Sequence, residues 1–199
     1  MNFKKISNRE LIVLLFIIFA AIIRLMPHPP NFAPITAMAL FGGLNFQNKK
    51  LAYSIPILAM IISDLYLGFY SISIFVYTSF IAITFIGTVI KKINISNIFL
   101  SSLLFFIITN LGVWSMGYPM TIEGLLTCFT LALPFFGYAL AGDLFFSLLL
   151  KYSFKAVEKK YLIHLFFETA LEVHKTNRLQ FFHLYYVMLN SQILQIHIL

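Results

Sequence analysis

Four side chains in this chain combine reactive chemistry with an apolar setting: Arg24, Asp64, Asn110 and Asp143 each fall inside a long hydrophobic run. A charged residue at mid-bilayer costs roughly 2.5 to 3.5 kcal/mol on insertion scales, so each needs a partner, a water-filled cavity or a role. Arg24 lies thirteen positions past Leu11, Asp64 thirteen past Leu51 and Asn110 twelve past Ile98. Each of those starting points is expected at the inner face, and at helical rise the three side chains stand about 18 to 20 Å above it. Trp114 follows Asn110 by four and shares its helix face, while His28 and Asn31 lie just beyond Arg24. Arg24, His28, Asn31, Asp64, Asn110 and Trp114 therefore form a candidate substrate-binding set. Asn31 is expected to N-cap the second helix, with Pro34 in its first turn. Free N–H donors at that helix start, together with Arg24, suit a carboxylate or phosphate on a ligand. Arg24 and Asp64 can also simply neutralise each other, and the two readings are compatible.

Asp143 belongs to another layer. It precedes Lys151 by eight residues, about 12 Å along a helix, and Lys151 or the tail beyond it is the expected ion-pair partner. Asp64 and Asp143 would serve an intramembrane aspartyl protease only if they shared a proton, and their layers differ by about 8 Å. Metal chemistry has equally little to work with: Cys128 is the single cysteine, and the four histidines of the tail form no i, i+4 pair. No G-x-x-x-x-G-K-[ST] phosphate loop is present, so the chain cannot itself hydrolyse ATP. No catalytic residue, cofactor or metal is expected, and the chain does not read as an enzyme.

The elements that must position these residues are membrane helices. The chain is 60% hydrophobic and 11% charged with a mean hydropathy of +0.91, against about 25% charged residues in soluble domains. Its net charge of +7 comes as basic pairs between apolar runs rather than as one stripe, which removes nucleic acid as a partner. Six apolar segments can be marked: Leu11 to Met26, Phe32 to Gln47, Leu51 to Gly68, Ile72 to Ile90, Ile98 to Trp114 and Leu125 to Leu150. The expectation is an all-α, polytopic transmembrane bundle of six antiparallel helices. The first segment continues through Arg24 and Pro27 without a small-residue cleavage site, so it is read as a retained span rather than a signal peptide. With both ends cytoplasmic, 13 of the 14 Lys and Arg residues lie inside and only Arg24 does not. Pro134 is expected to kink the last span. Gly42 and Gly43, with Ala33, Ala37 and Ala39, give the second helix a small-residue surface for a close contact, either internal or with a partner.

Residues 1–151 are expected to form the six-helix domain and residues 152–199 a cytoplasmic or membrane-surface tail. The tail carries four of the five histidines and has no glycine or proline. Its end, Leu179 to Leu199, contains His183, Asn190, Gln192, Gln195 and His197, which favours an amphipathic surface helix over a seventh span.

The blocks "RLMPHPPNFAPITAMALFGG", "SDLYLG", "FFIITNLGVW" and "LPFFGYALAGDLFF", in this order, resemble an uncharacterised family of six-span bacterial membrane proteins assigned to transport. More distantly, the layout is similar to the substrate-binding S component of energy-coupling factor (ECF) transporters, with a glycine-bearing second helix and Asp-Leu-x-x-Gly near the end of the third. The resemblance covers about Arg9 to Lys151. It implies a bacterial inner-membrane binding subunit for a small, vitamin-like or carboxylate-bearing solute, working with a transmembrane scaffold subunit and an ATPase pair. S components dock through an Ala-x-x-x-Ala motif in the first helix. Here Ala20 and Ala21 stand without that spacing, and Ala33 and Ala37 have it in the second. The competing reading is a structural or assembly membrane protein whose polar residues only fix helix packing.

Overall fold

The computed structural model describes residues 7–26 and 31–176, and the side chains of residue 162 and residues 164–176 are not described. Among the described residues six helices follow in chain order: α1 Asn8–Leu25, α2 Ile35–Asn45, α3 Lys49–Leu67, α4 Ser73–Val89, α5 Ile95–Gly117 and α6 Ile122–Thr176. Among the described residues there is no strand, so the fold is all-α. Among the described residues three helical stretches are long and apolar enough to cross a membrane: Lys49–Leu67, Ile95–Gly117 and Ile122–Tyr161.

Local chemistry sets the helix ends. Ser7 and Glu10 form a capping box on α1, Ser7 Oγ accepting from the Glu10 N–H at 3.2 Å and Glu10 Oε2 accepting from the Ser7 N–H at 3.1 Å. The other Glu10 oxygen accepts from the backbone N–H of Asn48 at 3.2 Å, which ties the start of α1 to the start of α3. Asn48 caps α3 through the Lys50 N–H at 2.9 Å, and Asn94 caps α5 through the Asn97 N–H at 2.8 Å. Gly68 ends α3 at φ 98°, a left-handed backbone that glycine adopts without a Cβ clash.

The core sits around α2. Nine of its eleven residues are buried, and it touches α1, α3, α4 and α5. Its Phe41 ring meets Phe154 of α6 edge-on at 5.3 Å. The two glycines explain how one short helix packs on so many neighbours. A Cβ on Gly43 would stand 2.3 Å from the Thr84 carbonyl oxygen and 2.9 Å from the Gly87 Cα, so α2 and α4 cross backbone to backbone. A Cβ on Gly42 would meet the Pro56 ring of α3 at 2.8 Å. Ala37 and Ala39 are fully buried as well. The small residues of α2 therefore serve internal packing.

Two boundaries differ from the sequence expectation. α2 has eleven residues, about 16 Å, where an apolar segment of Phe32 to Gln47 was expected to span. Phe32 and Ala33 instead lie against the α6 backbone, where a Cβ on Gly142 would come within 3.1 Å of the Phe32 Cα, and Pro34 takes the N-cap place. Asn31 is exposed at φ 62° and makes no cap, because the helix starts three residues later than an Asn31 cap requires. Pro134 lies inside α6, which continues to Thr176 and past the expected end at Leu150.

The chain divides into two compact units, Met1–Phe154 and Lys155–Leu199. The first holds the bundle just described. In the second, the described residues are helical from 155 to 176, and the segment Leu179 to Leu199 lies outside the described residues.

Candidate functional site

Arg24 sits in the last turn of α1, sixteen residues past Asn8, and Asp64 lies fifteen residues past the start of α3 at Lys49. At about 1.5 Å per residue the two stand about 24 and 22 Å along their helices, a match in height that lets them meet. They form an ion pair, Arg24 Nη2 to Asp64 Oδ1 at 2.6 Å, with only 12% and 7% of the two side chains exposed. Two further groups complete the cluster. Arg24 Nη1 donates to Ser63 Oγ, whose hydroxyl is 2.9 Å from the Met60 carbonyl oxygen. Tyr77 of α4 donates its phenolic hydroxyl to Asp64 Oδ2 at 2.5 Å. Three helices thus contribute to one buried charged group, and both carboxylate oxygens of Asp64 have a donor. A guanidinium carries five N–H donors, and these bonds use two of them.

Ser63 and Tyr77 were not among the sequence candidates, although a signal for Tyr77 was present. In two antiparallel helices joined by a short turn, residues equidistant from the turn stand at the same height. Asp64 and Tyr77 flank the turn around Tyr70 almost symmetrically.

The other candidates are engaged elsewhere. Asn110 donates to the Phe106 carbonyl of its own helix at 2.8 Å, and its backbone oxygen lies 3.6 Å from the Cys128 thiol of α6. Trp114 donates its indole N–H to the Pro119 carbonyl at 3.0 Å, tying the end of α5 to the turn before α6. His28 lies outside the described residues. The first turn of α2 also departs from the expected arrangement: Thr36 is nine residues above Asn45, about 14 Å, well short of the height of Arg24. That helix start faces Asp143 rather than the Arg24 group.

The expected pairing of Asp143 with Lys151 does not form. Asp143 accepts from Ser102 Oγ of α5 at 2.6 Å and is hydrogen-bonded to Thr36 of α2. Lys151 donates instead to the Ile93 carbonyl at 2.9 Å, between α4 and α5. The reason is reach: Lys151 lies two turns further along α6, at the level of the loop carbonyls that attract its ammonium group. Each of the two aspartates has its own partners, and no proton is shared between them. Among the described residues, no three His, Cys, Asp or Glu side chains group as metal ligands.

At the opposite end, Arg9 donates to the Asn45 carbonyl oxygen and, at 3.2 Å, to Asn45 Oδ1. Its guanidinium also stands 5.3 Å from the centre of the Phe154 ring. This contact closes the end of α2 and holds the base of the bundle.

No curated protein and no solved structure matches the chain. A family match covers residues 4–171, and so includes the Arg24 group, the Asp143 group and every described helix for most or all of its length. The chain belongs to a family of unknown function (DUF6580).

Proposed function

We propose that this protein is a non-catalytic, membrane-embedded binding subunit for a small solute bearing a carboxylate, and that the solute is recognised at Arg24. The observation that carries this reading is the buried ion pair of Arg24 with Asp64, joined by Ser63 and Tyr77. An arginine in the outer half of a hydrocarbon layer is expensive, and ionisable residues inside a membrane bundle mark substrate and ion pathways. Its geometry suits exchange. Among the described residues two guanidinium donors are in use, and an incoming carboxylate would compete with Asp64 for the cation. Tyr77 then keeps a hydrogen bond on the Asp64 carboxylate while the pair loosens.

In this reading six helices span the bacterial inner membrane with both termini in the cytoplasm, and the Arg24 end opens outward. The resemblance to ECF S components adds a transmembrane scaffold subunit and an ATPase pair as partners, since the chain has no phosphate loop of its own. The small residues of α2 are spent inside the bundle, so a scaffold would have to dock on another face. Ligand retained through purification in mild detergent, identified by mass spectrometry, tests the function. Arg24→Ala is expected to lose that ligand while still inserting and purifying, and full retention of it by Arg24→Ala overturns the proposal.

A specific observation favours a second reading, a structural membrane protein without ligand: both oxygens of Asp64 are satisfied within the protein. In that case Arg24→Ala and Asp64→Ala lower thermal stability and no small molecule co-purifies with the wild type.

A further inference from the structure

The second buried polar group, around Asp143, is of a different kind. Asp143, Thr36, Ser102 and Ser147 are at most 4% exposed and come from three helices, α2, α5 and α6. Their heights agree. Asp143 is eight residues above Lys151, Ser102 seven above Ile95 and Thr36 nine above Asn45, all between about 10 and 14 Å from the base of the bundle. Unlike Asp64, Asp143 has no Lys or Arg partner among the described residues. Ser147 stands one turn from Asp143 on the same face of α6 and makes no hydrogen bond among the described residues, and the same is true of Ser101 beside Ser102. A buried carboxylate without a described counter-charge, one helical turn from a buried hydroxyl without a described partner, is costly in an apolar interior.

We propose that Asp143, Ser102, Thr36 and Ser147 bind a dehydrated alkali cation. All the ligands are hard oxygens, which suit alkali and alkaline-earth ions rather than transition metals. One carboxylate balances one positive charge, whereas a divalent ion would leave an uncompensated charge in the apolar core. The hydrogen bonds already in place allow it. Ser102 has one hydroxyl proton and two acceptors within reach, Asp143 at 2.6 Å and the Ile98 carbonyl oxygen at 3.0 Å. Turning that proton to Ile98 frees an Oγ lone pair beside the carboxylate. Ser147 contributes a hydroxyl oxygen from the turn below. The site lies on α2, α5 and α6, whereas the Arg24 group is built from α1, α3 and α4, and it does not depend on the solute reading.

The test uses the purified full-length protein in detergent micelles. Sodium or potassium chloride is titrated against choline chloride at constant ionic strength, with thermal unfolding and equilibrium binding of radioactive sodium as readouts. Sodium, potassium or both should raise the melting temperature saturably relative to choline, as expected for a ligand of the folded state. Asp143→Asn should abolish the shift, Ser147→Ala should weaken the apparent affinity about tenfold, and Arg24→Ala should leave it in place. Identical melting in all three salts overturns the proposal, and so does a shift that survives unchanged in Ser147→Ala. If Asp143→Asn fails to fold, Ser147→Ala decides, because it keeps the carboxylate and removes only one oxygen.

Discussion

At the scale of single residues, the two buried aspartates show what a partner does to a carboxylate. Asp64 is met by a cation and a phenol, Asp143, among the described residues, by the hydroxyls of Ser102 and Thr36. Removing one member of a buried ion pair leaves the other charge uncompensated, typically at a cost of about 3 to 5 kcal/mol, whereas replacing both with apolar groups can be close to neutral. Arg24→Leu is therefore expected to destabilise the protein more than the double substitution Arg24→Leu with Asp64→Leu. Thermal unfolding of both variants in one detergent measures the difference, and equal losses would show that the pair carries little coupling. Tyr77→Phe removes one hydrogen bond to a charged acceptor and should cost about 1.5 to 3 kcal/mol. The same unfolding experiment reads it, and a value near zero would mean that the Asp64 carboxylate is satisfied equally well without the phenol.

At the scale of elements, α2 is the organiser, and its glycines decide whether it fits. Gly43→Ala drives a Cβ into the Thr84 carbonyl of α4, a rigid backbone atom that cannot turn aside. Overpacking of this kind costs about 1 to 3 kcal/mol and occasionally more, and a backbone-to-backbone crossing belongs at the upper end. Gly137→Ala is the control, since a Cβ there meets nothing within 4 Å and alanine is the better helix former. Monodisperse yield and melting temperature should fall for Gly43→Ala and hold or rise for Gly137→Ala. A loss at both positions would point to a general intolerance of added volume rather than to the α2–α4 crossing.

At the scale of the whole molecule, the proposed six-span topology makes a sided prediction. In a Cys128→Ser background, single cysteines at Asn8, Lys49 and Lys92 should react with an impermeant maleimide only from the cytoplasmic side. Cysteines at Tyr70 and Met120 should react only from outside. Labelling of Tyr70 and Lys49 from the same side would remove the six-span arrangement and, with it, the outward opening of the Arg24 group.

Much of this was open to reading in the amino-acid order alone, because rise along a helix is a local quantity. Hydropathy marked the six helices, and counting residues from basic helix ends placed Arg24 and Asp64 at one height and Asp143 at another. Gly42 and Gly43 announced a close crossing, since only a missing side chain permits one. What counting cannot supply is the direction a side chain faces and the helix that faces it, which depend on packing between distant segments. Tertiary structure therefore decided that Tyr77 and Ser63 join the charge pair, that Asn110 and Trp114 bond within their own hairpin, and that Lys151 is held by the Ile93 carbonyl. It also decided the length of α2. Asn31 and Pro34 signal a helix start, but Phe32 and Ala33 gain more by lying on α6 at Gly142, so the helix begins at Ile35 and brings Thr36 to Asp143.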